Sequence, residues 1–82
     1  MSEIVVAQMN TNEYIWTGAG LNEAEAREAM LAAWQRHRDG VVGQHPALAA
    51  TLPVAQEMER HFRIHYTHYA CGAGYRDGER LV

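Results

Sequence analysis

The sequence predicts a mixed α+β fold: an N-terminal β-hairpin packed against an amphipathic helix, then a second helix (ββαα), with a short C-terminal strand admitted. Three observations predict it. A β-branched run, Glu3 to Met9, meets a turn signal at Asn10-Thr11-Asn12 and a second alternating run. A capping pair, Asn22 and Glu25, opens a long stretch of apolar residues at helical spacing. A second such stripe runs from Pro53 to Ala70. At 82 residues, 48% apolar and 21% charged, the chain has the length and balance of one compact domain, residues 1–82.

In the hairpin, asparagine suits the turn because it tolerates left-handed backbone and bonds its own chain. Residues 13–17 alternate in side and put Tyr14 and Trp16 on one face. Gly18-Ala19-Gly20 is expected to break the strand. The first helix is expected over about 22–38, with Glu23, Glu25 and Glu28 at the positive end of its dipole and Arg36 and Arg38 at the negative end. Its stripe is Ala26, Ala29, Met30, Ala33, Trp34 and His37, set to lie across the hairpin, and Asp39-Gly40 closes it. Pro46 to Ala50 suits one helical turn or two.

The segment from Pro53 to Ala70 reads two ways. As a helix it gathers Val54, Ala55, Met58, Phe62, His65, Tyr66 and Tyr69 on one stripe, with Pro53 at its start and Gly72 at its stop. As a strand, Phe62, Ile64, Tyr66, His68 and Ala70 alternate with their neighbours, and aromatic content from 62 onward favours it. The helix explains more residues and is the expectation. Asp77-Gly78 marks a late turn. A two-stranded hairpin is marginal alone, so a third strand or a dimeric sheet is expected.

Charge narrows the function. All seven basic residues are arginine, lysine is absent, and acids outnumber bases ten to seven for a net −3. Nonspecific nucleic-acid binders carry a basic excess, so free nucleic acid is not the first choice of partner. No run reaches the length of a membrane span. The single cysteine, Cys71, and an N-terminus without the pattern of a secretion signal lead us to expect a cytoplasmic protein.

No catalytic set emerges. Ser2 is the only serine, Glu57 and Glu59 point apart on a helix, and Cys71 has no visible orienting acid or oxyanion motif. Gly18-Ala19-Gly20 before a helix lacks the lysine and third glycine of a phosphate loop. His61, His65 and His68, followed by Cys71, have ligand-like spacing on a helix, but lack a paired Cys-x-x-Cys. The expectation is no metal and no cofactor, with that cluster as the alternative. The bland reading of the acids is complementation of the helix dipole. The functional one is a partner-binding surface: Glu23, Glu25 and Glu28 facing a basic partner, with Arg60, Arg63 and Tyr75 supplying side chains of the kind that dominate protein interfaces. A small DNA-binding regulator contacting DNA through Arg60 and Arg63 is a further alternative.

In size, mixed α/β content and lack of motifs, the whole chain resembles the small accessory proteins of phages and mobile elements, the anti-CRISPR proteins among them. That resemblance rests on architecture, and no functional residue is carried over from it. It implies a non-enzymatic inhibitor whose partner is a CRISPR effector, with an acidic face occupying the effector's basic channel.

Overall fold

The computed structural model describes residues 2–82. Strands β1 (Glu3–Asn10) and β2 (Ile15–Gly20) form the expected hairpin. The long helix α1 (Glu23–Gln44), a 3₁₀ turn (Pro46–Ala50) and the short helix α2 (Ala55–His61) follow. Strand β3 (Ile64–Ala70) and a terminal hairpin, β4 (Tyr75–Arg76) and β5 (Glu79–Arg80), complete the chain. The fold is mixed α+β, with the hairpin, a long helix and a second helix in the predicted order.

The turn residue Asn12 takes a φ of 74°, and the Asn10 side chain accepts its amide at 2.9 Å. The Gly18-Ala19-Gly20 tripeptide does not break β2; it is the end of the strand. Both glycines face α1, and a Cβ on Gly18 would stand 2.2 Å from the Ala26 carbonyl oxygen. The glycines therefore let the helix backbone rest directly on the strand, a use different from a turn.

Helix α1 opens as predicted. The Asn22 side chain accepts the Glu25 amide at 2.8 Å, and the Glu25 carboxylate accepts the Leu21 amide at 3.2 Å. It does not stop at Asp39-Gly40 but continues to Gln44. Val41 and Val42 are half-buried, and Arg38 donates to the carbonyls of Leu52 and Ala49, so the returning chain packs on this last stretch. The buried stripe is Ala26, Met30 and Trp34, narrower than expected, with Ala29 and Ala33 exposed.

The second stripe is corrected more deeply. Only residues 55–61 are helical, and 64–70 form β3, antiparallel to β1. The gain is topological. Strand order β2-β1-β3 gives the hairpin its third strand from the same chain and puts β1 at the centre. Val5, Ala7 and Met9 then become fully buried between helices and neighbours, with Met30 and Met58 beside them. A single helix through residue 70 would leave β1 paired on one side only, with its other backbone edge in water. The molecule measures 50 × 21 × 21 Å, and its 14.9 Å radius of gyration exceeds the roughly 12 Å typical of this length.

Candidate functional site

Three regions collect polar or aromatic side chains. The first lies where β1 begins, β3 ends and α1 starts. The His68 imidazole stands between two carboxylates, 2.5 Å from Glu3 Oε1 through Nδ1 and 2.8 Å from Glu23 Oε2 through Nε2. The strand register puts His68 opposite Val5 on the helix-facing side of the sheet, which brings it to the first turn of α1. Hydrogen bonds to Glu3, foremost, and to Glu23 raise the His68 pKa above its usual 6.5. With both nitrogens engaged, the protonated ring acts as a staple joining three elements; to serve as a base it would have to release a partner.

The expected partner-binding residues are dispersed. Glu23 holds His68, Glu25 accepts the Leu21 amide just ahead of the helix, and Glu28 is exposed with no ion pair among the described residues. Arg60 lies on α2 and Arg63 in the link to β3, both exposed. The Tyr75 hydroxyl accepts the Ala70 amide at 2.8 Å, and its ring meets Tyr69 edge-on at 4.7 Å, so Tyr75 fastens the terminal hairpin. The histidines do not converge either. His61 ends α2, while His65 and His68 are three apart on a strand and point to opposite faces. Cys71 is exposed beyond the strand, and no group of metal-ligating side chains forms among the described residues.

The second region, at the other end of the sheet, is one that sequence reasoning missed. Two adjoining cavities share Leu52, Pro53 and Phe62 as a wall. One, of about 550 Å³, also borders Arg38, Glu57 and His61. The other, about 270 Å³, is lined by Thr11, Glu13, Tyr14, Trp34 and His37. Its aromatics form one cluster with Trp16: Tyr14–Trp16 at 5.7 Å, Trp16–Trp34 at 5.4 Å and Trp34–His37 at 5.9 Å. Trp16 Nε1 donates to the Thr11 hydroxyl and Trp34 Nε1 to the Pro53 carbonyl, which fixes both indoles. Tyr14 and Trp16 on one side, and Trp34 with His37 three residues on, were visible as spacings. Nothing in the sequence says that Pro53 and Phe62 return to close the cleft.

The third region is the face of the sheet turned away from the helices. The register places Ile4, Val6, Gln8 and Asn10 of β1, Ile15, Thr17 and Ala19 of β2, and His65, Thr67 and Tyr69 of β3 together. No aspartate, glutamate or arginine is among them. A solvated face of an antiparallel sheet usually alternates to polar side chains. Here Ile15 is 65% exposed, and Val6 and Tyr69 are only partly covered.

Fold and surfaces together define a small α+β domain with helices on one face of its sheet and an uncharged second face. No family model matches this chain, and no curated protein and no solved structure is found to match it. No helix among the described residues is long and apolar enough to cross a membrane.

Proposed function

We propose that this chain is a non-catalytic protein-interaction domain that docks on a larger macromolecule through the outer face of its three-stranded sheet. The observation that carries the reading is the absence of Asp, Glu and Arg across ten outward positions on three strands, where Ile4, Val6, Ile15, Thr17, Thr67 and Tyr69 stand among small and neutral polar residues. Interfaces are depleted in charge at their centre, and this face shares that depletion. A different protein suits the face better than a second copy, because two copies would each bring a net −3 charge together. That charge favours a basic partner surface and speeds encounter with it.

The anti-CRISPR resemblance makes a CRISPR effector the first partner to test, with inhibition by occupation of its nucleic-acid channel as the consequence. Purified effector complexes are mixed with the chain and separated by size. Co-elution that Thr17→Arg abolishes, with an unchanged melting curve, supports docking through this face. Absence of co-elution with every effector removes the effector assignment. A concentration-dependent dimer that the same variant disrupts replaces the hetero-partner with self-association.

A further inference from the structure

We infer that the smaller aromatic cavity is a binding site for a trimethylammonium group, carried by a free small molecule or by a methylated lysine side chain. Four rings border it, Tyr14, Trp34, His37 and Phe62, with the Glu13 carboxylate at its edge. The rings stand at steep angles to one another, 67° between Tyr14 and His37 and 45° between Trp34 and His37. Their centroids stand 5.6 and 5.9 Å apart, so these inclined rings touch one another along the border of the cavity. Aromatic faces attract a cation through the ring quadrupole, and a carboxylate adds Coulomb attraction without requiring a donor from the ligand.

The state of the polar groups selects among cations. The Thr11 hydroxyl accepts from Trp16 and donates to the Tyr14 carbonyl, and the Pro53 carbonyl accepts from Trp34. Each of those oxygens already accepts one bond from within the protein. A guanidinium brings five N–H donors and a primary ammonium three, and a lining made mostly of rings, with Glu13 as its one carboxylate, replaces their hydration only in part. A trimethylammonium has no N–H and asks only for apolar contact and negative potential. At about 270 Å³ the cavity is smaller than the ~300–1,000 Å³ of drug-sized sites, which suits a compact head group. The cation must come from outside: the chain has no lysine, and the nearby Arg38 is turned to the Leu52 and Ala49 carbonyls.

The test is titration calorimetry with tryptophan fluorescence on the full chain. Choline is compared with 3,3-dimethylbutanol, its uncharged isostere, and a trimethyllysine peptide with its unmodified counterpart. Choline or the trimethyllysine peptide should bind about tenfold or more tightly than its control, the scale of a desolvated cation–π contact. Tyr14→Ala should abolish binding while the protein still melts cooperatively within several degrees of the parent, because that residue is more than half exposed. Glu13→Gln should weaken it several-fold. Binding of the peptide alone assigns the group to a protein source; binding of choline shows that the free head group suffices. Equal binding of the charged and uncharged partners, or no signal from any ammonium at millimolar concentration, overturns the inference. Thr17→Arg should leave this binding unchanged, which separates the site from the docking face.

Discussion

Gly18 is the position where one methyl group should do the most damage. It sits on the helix-facing side of β2, opposite Ala7. A Cβ there would lie 2.2 Å from the Ala26 carbonyl oxygen, 2.3 Å from the Met30 amide nitrogen and 2.9 Å from Met30 Cα. All three atoms belong to helix backbone, so no side-chain rotation relieves the clash. Ordinary contact begins near 3.4 Å, and α1 must withdraw by about 1.2 Å. A gap of ~0.5–1 Å forfeits a quarter to a half of each dispersion contact across it. The contacts at stake are those of Ala26, Met30 and Trp34 with Val5, Ala7 and Met9, the greater part of the buried core. Gly18→Ala should therefore cost about 3 kcal/mol, the upper end of overpacking penalties. For a domain of this length that lowers the melting temperature by roughly 12–24 °C. Gly40→Ala is the control: nothing lies within 4 Å of its added carbon, and the residue is inside α1. It should gain about 1 kcal/mol from helix propensity. Circular dichroism melts of the two variants measure both signs. A Gly18→Ala protein melting within a degree or two of the parent would refute the close approach of helix and strand.

His68 should titrate above 6.5 by NMR, and Glu3→Gln should lower that value more than Glu23→Gln, following the order of their hydrogen bonds. A raised folded pKa means that the staple's contribution is fully present below the unfolded value and is lost as pH rises through the folded one. The stability difference between the parent and His68→Gln should therefore shrink above 6.5, as urea titrations at several pH values would show. Tyr75→Phe removes the acceptor of the Ala70 amide. It should speed hydrogen exchange there by several-fold, corresponding to about 1 kcal/mol of local opening, with little change in global melting. Trp34→Phe leaves the Pro53 carbonyl without its donor and should cost about 2 kcal/mol in urea unfolding.

What could be read from the sequence was what short-range chemistry decides. Asn22 and Glu25 mark a helix start because the cap is local, and Asn12 marks a turn because its left-handed backbone is local. The rest of the fold is decided by partners distant in sequence. Residues 62–70 fit both periodicities, and the choice falls to strand because β1 has an open edge, a fact about the sheet that lies outside the segment. Gly18 and Gly20 look like punctuation, yet what they accommodate is a helix five to twelve residues further on. The acids at the start of α1 were legible as dipole partners, but the role of Glu23 depends on a histidine 45 residues away. The aromatic cleft needs Pro53 and Phe62 to return from beyond the 3₁₀ turn, and no local pattern records that return.

The distribution of aromatic side chains bears on the proposed role more than any single contact. Of the chain's one phenylalanine, two tryptophans and four tyrosines, only Trp34 is buried. The fully buried volume is filled instead by Met9, Met30, Met58 and Val5, with alanines between them. A domain of this length has little core to spare, and aromatics are the side chains that contribute most when enclosed. Packing economy alone would put them inside. Here Trp16, Phe62 and Tyr66 pack half-buried against that core, Tyr14 and Phe62 border the cleft, and Tyr69 and Tyr75 stand beside the uncharged sheet face. Methionine, flexible and unbranched, fills a small core without dictating its shape, which leaves the rigid rings for the boundary. The ring surface left uncovered remains available for contact with a partner, and truncating Tyr14 should abolish ligand binding while the chain still folds. Truncating a core methionine such as Met30 to alanine should do the reverse, costing roughly 2–5 kcal/mol of stability while ligand affinity per folded molecule stays the same.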